Sequence, residues 1–104
     1  MNTTKSNLSN KDKEKILTVQ VASFGKSREK NAIELAEKII SDGFADVRVE
    51  RINELYAIRV GKSTDINDLI DLCEQLKRYS ESSFVRNAFY TENRIIFPKQ
   101  KSVL

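Results

Sequence analysis

Hydrophobic residues follow two different periods along the chain. Alternation of apolar and polar positions predicts extended strands, whereas apolar positions three and four residues apart predict amphipathic helices. These periods predict the order strand, helix, strand, strand, helix, strand. The four extended runs lie at 16–24, 47–52, 55–60 and within 84–91. A further short apolar run at 94–97 is expected to extend the last strand or to pair with it.

The two helices are predicted from single apolar stripes between these strands. The first stripe lies within 28–42, and Gly43 follows it where many helices end in a left-handed residue. The second stripe lies within 66–79. Each helix follows a Gly-Lys-Ser triplet. This internal repeat indicates a pseudo-twofold arrangement of the two halves.

This order of elements favours an α+β, ferredoxin-like βαββαβ fold. Two helices with one apolar stripe each can cover only one face of a four-stranded antiparallel sheet. The residues predicted to point toward the helices are Val19, Val21, Val47, Val49, Tyr56, Ile58 and Val60. The other face is predicted to be open to solvent and to carry the alternating residues Gln20, Ala22, Arg48, Glu50, Ala57 and Arg59.

Changes of composition set the expected boundaries of the domain. Residues 1–15 are polar and without periodicity, so they are expected to be a flexible tail or linker. The folded domain is expected at 16–91, followed by an extension at 92–104 that forms a tail, with or without an extra edge strand. No apolar stretch is long enough to span a membrane, and no export signal is found in the sequence.

The composition argues against an enzyme. The chain has no His and a single Cys, which excludes the usual general base, the usual zinc ligand, a Cys–His pair and an internal disulfide. We therefore expect no catalytic residue, no metal and no cofactor. Cys73 lies on the core stripe of the second helix and is expected to be a buried structural thiol.

The positive net charge lies in the terminal segments. The whole chain has a formal charge of +3, whereas residues 16–97 hold 12 basic and 13 acidic side chains. A nucleic-acid-binding domain would concentrate positive charge on its folded surface, so no nucleic acid is expected as a partner. The Gly-Lys-Ser triplets lack the first glycine of a phosphate loop. The segment GFADVRV at 43–49 has Asp46 where an RNA-recognition motif has a stacking aromatic.

Two strand sequences connect the chain to a known family. The run VQVASF at 19–24, a following helix rich in Ala and Glu, and the run LYAIRVG at 55–61 resemble the SPOR (sporulation-related repeat) domain family. The resemblance covers about residues 16–91. It implies a βαββαβ domain that binds bacterial peptidoglycan and prefers glycan strands stripped of stem peptides by amidases at division septa. The chain departs from the family pattern at 61–63, where Gly-Lys-Ser replaces the usual Gly-Pro-Phe, and in lacking a glycine after the second helix.

The resemblance also implies residues for a binding site. The Gln and Ser of the family's first strand fall on Gln20 and Ser23, and its third-strand Arg falls on Arg59. Strand alternation independently places Gln20 and Arg59 on the open face. We expect non-covalent binding in which these two side chains hydrogen-bond sugar acetamido, hydroxyl or lactyl groups, with Ser23 at the rim. By our own inference, Arg48 pairs with a muramic carboxylate.

Several alternatives stay open at the level of sequence. Phe84, Phe89 and Tyr90 are all candidates for an aromatic wall beside the open face. A ferredoxin-like protein–protein interaction module that uses an edge strand is the alternative function, and RNA binding is a weaker third one. We expect a monomer in the bacterial cell envelope, in the periplasm or septal wall, provided that an export signal or anchor lies outside this sequence.

Overall fold

The computed structural model of the protein describes residues 15–88 and 94–99. The strands are β1 (Leu17–Gly25), β2 (Val47–Ile52), β3 (Leu55–Ser63), β4 (Phe84–Asn87) and β5 (Ile95–Phe97). The helices are α1 (Glu29–Ser41) and α2 (Asn67–Leu76), and a 3₁₀ turn at Lys26–Arg28 precedes α1. The sequence predictions for residues 1–14, 89–93 and 100–104, which include Phe89 and Tyr90, lie outside the described residues.

The five strands form one antiparallel sheet in the order β4-β1-β3-β2-β5. The predicted α+β architecture is confirmed, but the predicted number of four strands is wrong. The run at 94–97 was expected beside the last strand, and it instead supplies β5, which pairs with β2 through Glu50 and Ile95 and through Val49 and Phe97. Pairing there satisfies backbone groups that β2 would otherwise leave exposed at the edge of the sheet.

Both helices pack against the same face of the sheet. Helix α1 contacts β1, β2 and β3, and α2 contacts β1, β3 and β4. All seven strand residues predicted to face the helices are buried there, together with Ala32, Ala36 and Ile39 of α1 and Leu69, Cys73 and Leu76 of α2. The prediction that Cys73 is buried is confirmed, and its Sγ donates to the carbonyl oxygen of Ser83 at 3.4 Å.

The end of α1 follows from one glycine. Gly43 has a φ of +104°, and the amides of Gly43 and Phe44 donate to the carbonyl oxygens of Ile40 and Ile39. This pair of hydrogen bonds is the Schellman motif, which needs a left-handed residue after the helix and therefore favours glycine. The predicted helix end is confirmed.

A β-bulge in β1 changes which residues face the helices. The register with β3 shifts between Gln20 and Ala22, so that Ala22 lies opposite Ile58 and Ser23 opposite Ala57. Ala22 consequently packs against the helix-side core, and its predicted position on the opposite face is wrong. The reason is that a bulge adds one residue to one strand, and the side chains beyond it change face.

Candidate functional site

The sheet face opposite the helices carries polar side chains from four neighbouring strands. The register places Gln20 opposite Arg59, Arg59 opposite Arg48, and Phe84 opposite Gln20. Residues paired directly across neighbouring strands share a face of the sheet. We call this surface the polar face and define it by Thr18, Gln20, Ser23, Arg48, Glu50, Ala57, Arg59, Phe84 and Arg86.

Glu50 is at the centre of the charges on the polar face. Its Oε2 accepts a hydrogen bond from Arg48 Nε at 2.8 Å, and its Oε1 accepts one from Arg59 Nη1 at 3.1 Å. Glu50 has no exposed surface, and the two arginines are each 3% exposed. Because an unpaired buried charge is strongly destabilising, each member of this group depends on the others.

The predicted exposure of this face is therefore wrong for Arg48, Glu50, Ala57 and Arg59, which are all buried. The hairpin sets Arg48 directly opposite Arg59, and Glu50 supplies the anion that two adjacent cations require. With β5 beside it, β2 is an interior strand rather than an edge strand. Long side chains of interior strands lie against their cross-strand neighbours, so these charged groups pair with one another instead of with water.

Arg48 is held on its other side by hydroxyl and carbonyl oxygens. Its Nη2 donates to Thr18 Oγ1 at 2.9 Å, and its Nη1 donates to the carbonyl oxygen of Asp46 at 3.2 Å. Thr18 Oγ1 in turn donates to the carbonyl oxygen of Gly61 at 2.6 Å. Arg48 is thus part of the framework under the polar face and does not present the exposed cation that the sequence predicted.

Gln20 lies between the buried charged group and the solvent-accessible end of the polar face. Its Oε1 accepts hydrogen bonds from Arg59 Nε at 3.2 Å, Arg59 Nη2 at 3.1 Å and Arg86 Nη1 at 3.4 Å. These donors determine the orientation of the amide. Its Nε2 has no hydrogen-bond partner among the described residues, which leaves the two N–H donors of the amide in a fixed orientation.

The electrostatics of this region centre on Arg59. Burial lowers the pKa of Arg59, the Glu50 carboxylate opposes that shift, and the nearby cations Arg86 and Arg48 add to it. The guanidinium stays charged at physiological pH because the ordinary pKa of arginine is so high. Glu50 and Gln20 therefore stabilise a buried cation, and Arg59 holds both of them in place.

The accessible part of the polar face surrounds Gln20. Ser23 is exposed, Gln20 and Arg86 are half-buried, and Phe84 is 46% exposed. Sequence analysis identified Gln20 and Ser23, gave Phe84 as one of three aromatic candidates, and missed Arg86. The alternation of the last strand contained the missing signal, because Arg86 follows Phe84 by two residues and lies on the same face.

A comparison with protein families matches residues 13–87 to the SPOR domain. The chain belongs to the SPOR domain family. The match includes β1 to β4 and both helices, whereas β5 lies beyond it. No curated protein and no solved structure matches this chain.

Membership of the SPOR family confirms the resemblance in the strand sequences and implies peptidoglycan binding. SPOR domains are binding domains rather than catalytic ones, and they are associated with the bacterial cell envelope and septum. In residues 15–88 and 94–99, no three acidic or cysteine side chains are grouped in a way that could hold a metal ion. No helix in these ranges is both long enough and apolar enough to cross a membrane.

Proposed function

We propose that this SPOR domain binds peptidoglycan glycan strands that lack stem peptides, through the accessible end of its polar face, as a monomer and without catalysis. The observation that supports this proposal best is the hydrogen bonding of the Gln20 side-chain amide. Its Oε1 is occupied by Arg59 and Arg86, and no described residue accepts a hydrogen bond from its Nε2, which can therefore donate to a ligand. A donor oriented in advance loses little conformational freedom on binding, which favours affinity.

The groups around Gln20 complement the chemistry of an amino-sugar polymer. The amide N–H of Gln20 suits an acetamido or lactyl oxygen, and the exposed Ser23 hydroxyl can donate to or accept from sugar hydroxyls. The half-exposed ring of Phe84 offers an apolar surface for the carbon face of a pyranose ring. A shallow site of this kind is consistent with micromolar affinity, roughly −8 kcal/mol, which repeated sites along a strand would raise.

The two arginines of the sequence-based site take indirect roles in this proposal. Arg59 is a positioning residue, because three of its nitrogens are occupied by Gln20 and Glu50. Arg48 supports Glu50 from the far side. Neither needs to contact the glycan for its substitution to weaken binding.

The sharpest test is Gln20→Glu. The carboxylate keeps an oxygen for Arg59 and Arg86 but removes both N–H donors of the amide, so the fold is retained while the ligand contact is lost. We expect retention on amidase-treated sacculi to fall about tenfold, which corresponds to one lost hydrogen bond. The temperature of thermal unfolding should stay equal to or above that of the wild type. Gln20→Ala is less suitable because it leaves donors of the buried Arg59 unpaired.

Gln75→Glu is the matched control, since it makes the same chemical change at an exposed position of α2. It should bind like the wild type. Equal retention of Gln20→Glu and Gln75→Glu would remove Gln20 from the site. Absence of wild-type retention on both untreated and amidase-treated sacculi would overturn glycan binding itself.

The alternative of a protein-interaction module using an edge strand has less support. The outer strands of the sheet and the apolar run at 94–97 suggested this alternative, and that run forms β5 and pairs with β2. Its backbone groups on that side are therefore occupied within the chain. Retention on purified glycan strands in the absence of any protein is the result that separates the two functions.

A further inference from the structure

Arg86 carries a charge that the described part of the chain does not neutralise. Its Nη1 donates to Gln20 Oε1 at 3.4 Å and its Nε donates to the carbonyl oxygen of Asn87 at 3.1 Å, and both acceptors are uncharged. Within the described ranges no carboxylate lies at ion-pair distance from Arg86. Its Nη2 has no hydrogen-bond partner there.

The described carboxylates on or beside the polar face are already paired with arginines other than Arg86. Glu50 is already shared between Arg48 and Arg59, and Asp46 contacts Arg48 at 3.4 Å. Among the described residues, these three guanidinium groups share two carboxylates, and Arg86 is the most exposed of the three. Arg86 is also close enough to Arg59 to contribute to the lowered pKa of Arg59.

We infer that Arg86 is the specificity-determining contact of the site and binds a carboxylate of the ligand. This inference rests on the proposed function. When an amidase removes a stem peptide, water adds across the amide bond to the lactyl group, which leaves a carboxylate on the sugar and an amine on the peptide. A stripped strand thus bears an anion where an uncut strand bears a neutral amide. A guanidinium favours the anion through charge-assisted hydrogen bonds.

The position of Arg86 suits this role better than that of either other arginine. Arg48 and Arg59 are buried and their donors are engaged, whereas β4 is an edge strand and Arg86 is half-buried. Partial removal from water strengthens an ionic hydrogen bond relative to a fully exposed one. The direct contact between Arg86 and Gln20 also brings the guanidinium close to the amide nitrogen of Gln20.

The test uses soluble, fully stripped glycan strands in two forms. One form keeps its lactyl carboxylates, and in the other they are coupled to methylamine to give neutral amides. We expect the wild type to bind the carboxylate form about tenfold more tightly than the amide form. Arg86→Gln should bind both forms equally, at the level of the wild type on the amide form, and Arg86→Lys should recover part of the preference.

Arg51→Gln is the control for loss of one positive charge. Arg51 is exposed on β2 and pairs with Tyr56, which places it on the helix side of the sheet. It should keep the wild-type preference, and unfolding temperatures should show that all variants are folded. An equal loss of preference in Arg51→Gln would attribute the effect to net charge and overturn the inference.

Failure of the inference on Arg86 can be distinguished from failure of the proposed function. If the wild type binds stripped strands but Arg86→Gln binds them equally well, or if the wild type does not distinguish carboxylate from amide, the inference on Arg86 is wrong and glycan binding stands. If the wild type binds neither form of the strands, the proposed function fails and the inference fails with it.

Discussion

The two faces of the sheet are buried by different physical means. On the helix side, apolar residues of strands and helices pack together, and the core consists of side chains such as Val19, Ile58 and Ile39. On the polar face, two arginines and a glutamate are buried because they pair with one another. The comparison shows that alternation along a regular strand, without a bulge, predicts the face on which a side chain lies, but not whether that face is exposed.

The faces also differ in how their contributions to stability combine. Burial of apolar surface contributes about 25 cal/mol per Å², and well-separated contributions are roughly additive. A buried ion pair behaves otherwise, because removal of one partner leaves the other charge without compensation. We therefore expect the polar face to be the more sensitive of the two to a single polar substitution.

The largest expected effect is at Glu50. Glu50→Gln leaves Arg48 and Arg59 buried without their shared anion, so the free energy of unfolding should fall by about 3–5 kcal/mol in urea titrations. Glu54→Gln is the control, since the Glu54–Lys26 pair is separated by 3.6 Å with the side chains 71% and 70% exposed. It should change stability by less than about 0.5 kcal/mol. Equal effects of the two variants would contradict the dependence of the polar face on charge pairing.

On the helix side, adjacent isoleucines of α1 give a matched pair. Ile39 is fully buried and Ile40 is 40% exposed. Ile39→Ala should lower the free energy of unfolding by about 3 kcal/mol through the cavity that it leaves. Ile40→Ala should lower it by less than about 1 kcal/mol. Similar losses in the two urea titrations would mean that α1 does not pack against the sheet as described.

The smallest effect is expected at an exposed contact between the ends of the helices. Tyr79 Oη donates to Asp42 Oδ2 at 2.5 Å, and this bond is the main cause that holds the pKa of Asp42 below its ordinary value. The lower pKa in the folded state means that the contribution of Asp42 is present above its unfolded pKa. It is lost as the pH falls through the folded value.

Asp42→Asn should therefore make the urea midpoint less sensitive to acid below about pH 4. Urea midpoints measured between about pH 6 and pH 2 would show this. Asp71→Asn, at an exposed position of α2, controls for the loss of one negative charge. Parallel curves for the wild type and Asp42→Asn would argue against the contact with Tyr79.

The helix-side core could be predicted from the sequence because a regular strand assigns each side chain to a face by its position alone. The method fails at Ala22, where the bulge in β1 interrupts the alternation, and nothing in the run VQVASF marks that bulge. The pairing of β5 with β2 also could not be predicted from the pattern of apolar residues. It joins segments far apart in the chain, and a three-residue strand contains little information on its partner.

The buried charges, in contrast, could have been predicted. A two-residue turn at 53–54 fixes the register of the hairpin, and that register sets Arg48 opposite Arg59. Like charges directly opposite each other are destabilising unless an anion joins them. Glu50, two residues from Arg48 on the same strand, has the required position. The sequence therefore supported the inference that these charged side chains pair with one another across the hairpin and are not each hydrated.

The short edge strand β5 affects whether neighbouring copies of this domain can associate through their sheets. An open sheet edge is a template on which a second chain can add a strand, and this is a common route to aggregation. β5 is three residues long, and Pro98, which follows it, has no backbone N–H to offer a neighbour. A polymer with many identical binding sites would bring copies of this domain side by side. This edge favours their remaining separate molecules rather than fusing into a continuous sheet.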